Sequence, residues 1–305
     1  AGNAATEVTS SSFSVDTTVP SISAITTSAF SWGSVLNATE DNSDGTVTVT
    51  TTGVEDGQTL TIHLNGTNYT GTVNSNSTTV TIAANDLQAL TNGNNYTMTA
   101  NVSDAAGNAA TEVTSSSFSV DTTAPNASIT SHISTYTNDT TPSFTFTTNE
   151  TGILTTNISQ GFFSSSTISS TGSHEITFNT LPEEEYSGKT ITLTDSAGNA
   201  TTINLNTFTV DTTGPTLQFD NSTPANDATN ISYNDDVILK FSENVEAGSG
   251  NITFRTKLDR LSLGDHIINI DITDTNKVTF NNDTVTLSNF GDFNQLGRIY
   301  QCTFL

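Results

Sequence analysis

The sequence predicts an all-β protein in which several β-sandwich domains follow one another along the chain. Three observations lead to this prediction. Apolar and polar residues alternate over short runs, as strands with one buried face require. Pairs of turn-forming residues, such as Asn65-Gly66 and Asn92-Gly93, separate these runs. One segment also recurs along the chain at the spacing of a whole domain.

The recurring segment marks the end of each domain. Residues 1–18 are repeated without change at 106–123, and a looser copy occupies 197–213. Each copy is followed by one residue and then a proline, which lacks the N–H that a continuing strand needs. The copies begin 105 and 91 residues apart, which is the length of one β-sandwich and far more than a helical or propeller-blade repeat.

This spacing predicts three domains preceded by a short stub. The stub, residues 1–18, is expected to be the last strand of a preceding, incomplete repeat, so that the chain is a piece of a longer array. The C-terminal part of the third domain is expected to be atypical or truncated, because 255–268 and 288–305 lose the alternation. The predicted domains are 19–123, 124–213 and 214–305.

The alternation also predicts where strands lie within each domain. In the first domain the clearest run is Leu60, Ile62 and Leu64, and only Asn85–Leu90 has the pattern of a helical turn. About seven strands are expected in each domain, with the recurring segment as the last. The second and third domains show the same period in Phe144 and Phe146, in Ile191 and Leu193, in Val237 and Leu239, and in Val278 and Phe280.

Composition excludes two classes of partner. Of the 305 residues, 7 are Lys or Arg and 31 are Asp or Glu, so the formal net charge is -24. Residues 1–188 contain no Lys or Arg, and binding to nucleic acid or to an anionic membrane surface depends on these residues. No apolar run approaches the roughly 18 residues that would predict a membrane-spanning helix. The single cysteine, Cys302, excludes an intrachain disulfide.

The first domain resembles the bacterial Ig-like repeats of giant secreted adhesins. It has VEDGQTLTIHLNGTNYTGTV, ANDLQAL and NYTMTANVSDAAGNAATEV in the order of that family. The second domain, with TNDTTPSFTFTTNETG and LTDSAGNATT, resembles another bacterial Ig-like subtype. The third, with STPANDATNIS and DVILKFSENV, is similar to Ig-like modules of S-layer and cell-wall proteins. The expected fold is therefore a set of tandem immunoglobulin-like β-sandwich domains in an extended rod.

The resemblance implies a stalk or spacer outside the cell, at its surface. Such a stalk holds a distal binding module away from the cell, often with calcium at the domain junctions. The expected partners are the neighbouring Ig-like repeats of the same chain, together with host or surface glycans or proteins that the parent protein binds. The alternatives are a surface-layer structural protein and an Ig-like module that itself binds carbohydrate or protein.

The candidate calcium ligands are acidic residues near the domain ends. Calcium takes six to eight oxygen ligands from carboxylates, amides and carbonyls, and these loops contain all three. Asp104 and Asp121 lie at opposite ends of one extended segment, roughly 40 Å apart, and cannot share an ion. Asp121 is expected to join carboxylates of the next domain or of its own base, and turn capping is the alternative role. The candidates are Asp16, Asp121, Asp211, Asp104, Asp195, Glu40 and Asp44.

The sequence does not predict an enzyme. The four histidines are scattered, and no metalloprotease or nucleophile-elbow motif accompanies them. Glu183, Glu184 and Glu185 are adjacent and are predicted to form a solvated loop rather than a catalytic pair. Trp32 is the one aromatic residue in a loop-like run that suggests sugar stacking, and its alternative role is to close the end of the sandwich.

Overall fold

The computed structural model describes residues 2–159, 162–225, 228, 235–256 and 266–289. The chain divides into two compact units, Ala1–Asp211 and Thr212–Leu305. The described residues form short strands joined by turns, three short 3-10 helices and one short α-helix, α1 (Ala84–Gln88), where the sequence predicts a helical turn. The prediction of an all-β fold is therefore confirmed. The 3-10 helices are Thr27–Ala29, Glu40–Asn42 and Phe219–Asn221.

The first unit contains two β-sandwiches, and the first of them consists of ten strands in three sheets. The sheet orders are β1-β3-β6, β2-β10-β7 and β5-β4-β8-β9. The strands are β1 (Ser21–Ile22), β2 (Val35–Leu36), β3 (Gly45–Thr52), β4 (Thr59–Leu64), β5 (Thr67–Thr72), β6 (Ser77–Ile82), β7 (Asn95–Tyr96), β8 (Thr99–Asn101), β9 (Val113–Thr114) and β10 (Phe118–Val120).

The second sandwich repeats this topology strand for strand. Its sheet orders are β11-β13-β16, β12-β20-β17 and β15-β14-β18-β19, which match those of the first when ten is subtracted from each number. Each sandwich has one parallel pair, β2 with β10 and β12 with β20. The strands are β11 (Ala127–Ser131), β12 (Tyr136–Thr137), β13 (Ser143–Thr148), β14 (Gly152–Thr156), β15 (Thr167–Ile168), β16 (Gly172–Thr177), β17 (Glu184–Tyr186), β18 (Thr190–Thr194), β19 (Ala200–Asn204) and β20 (Phe208–Val210).

Each sandwich encloses its own hydrophobic core. The alternation predicted from the sequence is visible in β3 and β4, where every second residue is buried and its neighbours face outwards. One core cluster spans Ile22 to Val120 and the other spans Ile133 to Val210. Burial of these apolar side chains is the main contribution to the stability of each sandwich. The chain has a single cysteine, so no intrachain disulfide adds to it.

The recurring segment forms two strands, not one. β9 belongs to the four-stranded sheet and β10 to the three-stranded sheet that contains β2. Between them the chain crosses from one sheet to the other at Ser115, whose hydroxyl accepts a hydrogen bond from the Met98 N–H at 2.9 Å. The expectation of a single last strand was wrong because Ser115 forms hydrogen bonds that hold the crossing in place.

The stub has no strand, although its sequence is that of β9 and β10. Residues 2–18 are exposed throughout, and Phe13 is 86% exposed where the equivalent Phe118 is 1% exposed. A strand is stabilised by partner strands and by a core beneath it, and the stub has neither in this structure. Residues 2–18 and 107–123 have the same sequence and differ in structure because only the second copy has partner strands.

The second unit contains five described strands. Its sheet orders are β21-β25-β24 and β22-β23, and its core is formed around Val237, Leu239 and Leu287. Cys302 and residues 290–305 lie outside the described residues, as do 257–265. Among the residues that are described, no helix has the length and apolar character needed to cross a membrane. The strands are β21 (Val237–Lys240), β22 (Asn251–Thr256), β23 (His266–Asp271), β24 (Val278–Asn281) and β25 (Thr284–Leu287).

Candidate junction site

The candidate site lies where the first sandwich passes into the second, at the linker 121–125. The first sandwich binds this linker on one side. The Asp121 N–H donates to the Leu36 carbonyl at 2.9 Å, which extends the parallel pairing of β2 and β10 by one residue. The Asn92 side chain accepts from the Thr122 N–H at 2.8 Å and donates to the Thr123 hydroxyl at 2.7 Å. These bonds leave the linker little conformational freedom.

The second sandwich contributes the turn Asp195–Asn199. One Asp195 carboxylate oxygen accepts from the N–H groups of Ala197 and Asn199, at 2.8 and 2.9 Å. The other accepts from the Asn199 side-chain amide at 3.1 Å. Gly198 has φ +97°, a left-handed conformation that favours glycine. Asp195 therefore shapes the turn and also orients the Asn199 side chain.

Asn199 connects the two sandwiches. Its side-chain amide donates to the Asp121 carbonyl at 2.9 Å, and its side-chain oxygen accepts from the Ala38 N–H at 2.9 Å. The residue is only 5% exposed, so these hydrogen bonds are shielded from water. Leaving this buried amide without its hydrogen-bond partners would lower the stability of the folded state by about 1–3 kcal/mol. The Asn199 side chain is therefore held in one position.

A second contact lies beside the first. The Asn37 side-chain amide donates to the Ala197 carbonyl at 2.8 Å. A Cβ at Gly198 would lie 3.1 Å from the same Asn37 nitrogen, so the close approach also favours glycine at 198. On the linker, the Thr201 hydroxyl donates to the Pro125 carbonyl. The joint is thus held by hydrogen bonds at three places.

The first sandwich carries the same turn at its other end. At Asp104–Asn108 the carboxylate accepts from the Asn108 N–H at 2.7 Å and from the Asn108 side-chain amide at 2.8 Å. Hydrogen bonding to Asn108 holds the pKa of Asp104 below its ordinary value, and the turn's backbone N–H groups lower it further. The Asn108 amide also donates to the Asp16 carbonyl at 3.2 Å. Asp16 precedes Thr-Thr in the stub as Asp121 does in the linker.

Negative charge accumulates at the junction. Partial burial raises the pKa of Glu150, and the charges of Asp121 and Asp195 raise it further. Asp121 and Asp195 are therefore each close enough to Glu150 to disfavour its negative charge. Within the described residues, no group of three or more Asp, Glu, His or Cys side chains is arranged to hold a metal ion. Calcium also accepts amide, carbonyl and water oxygens, so the fit depends on more than carboxylates.

The remaining predicted ligands have hydrogen-bond partners in the protein. Glu40 accepts from the Asn37 N–H at 3.1 Å and so lies beside the junction. Asp44 accepts from the Ala84 N–H at 3.0 Å, at the start of α1. Asp16 accepts from the Thr18 N–H at 2.8 Å. Asp211 repeats the linker geometry of Asp121, because its N–H donates to the Thr137 carbonyl at 2.9 Å.

Sequence reasoning missed four residues of this site, Asn37, Asn92, Asn199 and Glu150. A signal existed for Asn199, because Asn108 and Asn199 occupy the same place in two copies of the recurring segment. Glu150 follows a strand just before a turn, as Glu55 does in the first sandwich. The sequence marks Asn92 only as part of the Asn92-Gly93 turn, and nothing in it distinguishes Asn37 from the many other loop asparagines.

Trp32 closes the sandwich from inside. It is 5% exposed, its ring stacks on Phe30 at 5.4 Å between centroids, and its edge meets Phe118 at the same distance. A buried indole offers no surface on which a sugar ring can stack. The alternative role of Trp32, to fill the end of the core, is therefore the correct one.

Comparison with known protein families finds a match in the C-terminal part of the chain. Residues 211–302 match the model of a bacterial Ig-like domain. This match confirms the predicted resemblance to bacterial Ig-like modules. No curated protein matches the chain.

Three solved structures from ice-binding adhesins are similar to the chain. A Ca²⁺-stabilized adhesin that helps an Antarctic bacterium bind ice is 20% identical with a TM-score of 0.41. The similarity covers 90% of this chain and 66% of that one, just under two thirds of its length. A 1.5-MDa bacterial ice-binding adhesin is 17% identical, with coverage of 92% and 90% and a TM-score of 0.37.

The third structure is a single bacterial immunoglobulin-like domain from the M. primoryensis ice-binding adhesin. It is 33% identical, and the similarity covers 34% of this chain and 96% of that one, with a TM-score of 0.25.

Proposed function

We propose that the chain is a structural stalk segment of a large repetitive cell-surface adhesin, located outside the cell. The observation that carries the proposal is the strand-for-strand repetition of one topology in two sandwiches joined by a short, hydrogen-bonded linker. Modules that contain their own cores and contact only their neighbours add length without adding chemistry. The proposal takes 19–123, 124–213 and 214–305 as the domains and assigns no catalysis to them.

The high negative charge fits this role. A formal net charge of -24 keeps neighbouring copies of a stalk apart and soluble through mutual repulsion. The same charge has a cost at the joint, where Asp121 and Asp195 disfavour the charged form of Glu150. A divalent cation would relieve that effect.

The proposal therefore includes a calcium ion at the joint. Among the described residues no three carboxylates are grouped to hold it alone, so Asp121, Asp195 or Glu150 would contribute single ligands and amide, carbonyl and water oxygens would supply the others. Glu40 is a further candidate because it lies beside Asn37. Asp16 and Asp104 would form the equivalent site at the other end of the first sandwich, and Asp211 is a further candidate ligand at the end of the second. Asp44 is the weaker candidate, since its carboxylate holds the start of α1.

Small-angle X-ray scattering of the full chain tests the stalk. A compact protein of 305 residues has a radius of gyration of about 19 Å. A row of domains predicts a value well above this. Calcium that stiffens the domain junctions predicts a larger maximum dimension with calcium than with chelator, and an equal dimension would remove its structural role. A radius of gyration near 19 Å would contradict the stalk.

Isothermal titration with calcium tests the ion separately. Binding is expected for the wild-type chain and weaker binding for Asp121→Asn, while Glu7→Gln, which changes an exposed carboxylate of the stub, should bind as the wild type does. Absence of heat at millimolar calcium would remove the ion from the proposal and leave the stalk standing.

A further inference from the structure

The turn Asp-x-Ala-Gly-Asn occurs twice in the sequence, at 104–108 and 195–199, and in both places its Asn side chain binds an Asp-Thr-Thr segment that comes before its own sandwich. Asn199 donates to the Asp121 carbonyl, and Asn108 donates to the Asp16 carbonyl. In both turns the Asp carboxylate accepts from the Asn amide and holds it in place. Two copies of one turn thus make the same contact with two copies of one linker.

We propose that this turn is a docking site for the Asp-Thr-Thr linker of the domain before it, and that Asn199 fixes the orientation of these two sandwiches even when no calcium is bound. The inference rests on the proposed function, since it explains how a stalk keeps its direction at a joint. The partner is defined by its chemistry: a backbone carbonyl in the linker and a backbone N–H, that of Ala38, on the preceding sandwich.

The Asn199 side chain can fix this orientation because its planar amide group makes its hydrogen bonds in fixed directions. The nitrogen donates to Asp121 and Asp195, and the oxygen accepts from Ala38, so each of the three partners restrains a different direction. The bonds are uncharged on the linker side, so salt does not screen them. Burial to 5% exposure excludes water from competing for them.

The rest of the linker is already held by its own sandwich. Asn92 binds Thr122 and Thr123, and Leu36 binds Asp121. If the linker were flexible, the contact with Asn199 would restrain only the linker. Because the linker is bound to the first sandwich, the contact restrains the second sandwich relative to the whole first sandwich. Neighbouring domains move relative to one another by default unless such a contact prevents it.

Double electron–electron resonance on the full chain tests the proposal. Spin labels at Thr70→Cys and Ser173→Cys, both exposed, are placed in a Cys302→Ser background, one on each sandwich. The unmodified joint is expected to give a narrow distance distribution in chelator. Asn199→Ala should broaden it about twofold, because relative domain motion returns when the contact is lost. Asn108→Ala, the same change in the same turn of the other sandwich, should leave the distribution unchanged.

Asn37→Asp approaches the joint from the other side and leaves the 195–199 turn intact. The aspartate keeps the oxygen that caps Thr39 and Glu40 but cannot donate to the Ala197 carbonyl, so broadening is again expected. This variant keeps the test valid if Asn199→Ala unfolds the second sandwich.

Three outcomes would overturn the proposal. The first is a distribution that stays narrow in both Asn199→Ala and Asn37→Asp. The second is an equal broadening in Asn108→Ala. The third is a wild-type distribution that becomes as broad in chelator as that of Asn199→Ala, which would assign the orientation to calcium and leave the calcium-stiffened stalk intact.

Discussion

At Gly45 the backbone passes so close to Trp32 that no side chain fits between them. A Cβ at this position would lie 2.6 Å from the indole ring and 2.9 Å from Leu87. The indole is buried and cannot move aside without disturbing its contacts with Phe30 and Phe118. Glycine is therefore required at position 45 because a side chain would not fit, and not because of its backbone conformation.

Gly45→Ala is expected to destabilise the first sandwich by about 1–3 kcal/mol, the usual cost of overpacking a filled core. Urea unfolding followed by the fluorescence of Trp32, the single tryptophan of the chain, measures it directly. Gly214→Ala is the control, since a Cβ there meets nothing within 4 Å. Equal midpoints for the two variants would show that the core at Trp32 has room that the structure does not indicate.

Glu150 provides a pH-dependent test at the same scale. Its pKa is raised in the folded state by burial and by Asp121 and Asp195, so folding disfavours its charge. Protonation of Glu150 therefore stabilises the folded state. This stabilisation is fully present below the ordinary pKa of a glutamate and is lost as pH rises through the raised pKa. At neutral pH without calcium the carboxylate is therefore destabilising.

Glu150→Gln is expected to raise the free energy of unfolding near pH 7 in chelator, by up to about 1 kcal/mol because the charges are partly exposed and screened. The gain should shrink as pH falls through the raised pKa of Glu150 and should be gone below the ordinary pKa of a glutamate, where the wild-type residue is protonated in the folded and the unfolded state. Thermal unfolding across pH, with Glu185→Gln as the matched variant, measures both effects. A loss of stability at pH 7 would mean that Glu150 makes an attractive contact.

The residue scale also shows what a single sequence can predict about a site. The acidic candidates Asp104, Asp121 and Asp195 were found because Asp next to Gly, Asn and Thr is typical of polar turns. Asn199, which connects the sandwiches, was missed because its partners Asp121 and Ala38 are 78 and 161 residues away in the sequence. The repeat marks Asn199 and Asn108 as equivalent, but a side-chain hydrogen bond to a distant backbone group leaves no local pattern that names its partner.

Among the elements, the recurring segment shows that partner strands decide whether a given sequence forms a strand. Residues 1–18 and 106–123 have the same propensities and the same alternation, yet only the second copy forms β9 and β10. Local sequence predicted that both could be extended. The partners β2, β7 and β8, which decide whether a strand forms, come from other parts of the chain.

The two copies offer a matched pair of substitutions. Phe118→Ala is expected to cost about 3–5 kcal/mol, because it removes a ring that is 1% exposed and leaves a cavity beside Trp32. Phe13→Ala, in the same sequence context, should change stability by less than about 0.5 kcal/mol, because that ring is 86% exposed. Urea unfolding of both variants measures the difference. A comparable loss in Phe13→Ala would mean that the stub is packed in solution.

For the molecule as a whole, the sequence predicted the fold class from alternation and turns, and the structure confirms it. The topology could not be predicted, because the parallel pairing of β2 with β10 joins residues about 84 positions apart, and no periodicity encodes such a partner. The repeated strand order is visible only in three dimensions, since outside the recurring segment the two sandwiches share little sequence. The three-domain division remains a prediction.

The account depends on domains that fold separately and are arranged in a row, and pulling the full chain from its two ends by force spectroscopy tests this most directly. It predicts separate unfolding events, one for each domain, each releasing about 300 Å of chain for roughly a hundred residues. A single event that releases the whole length at once would contradict it, because it would show one cooperative structure in place of independent sandwiches.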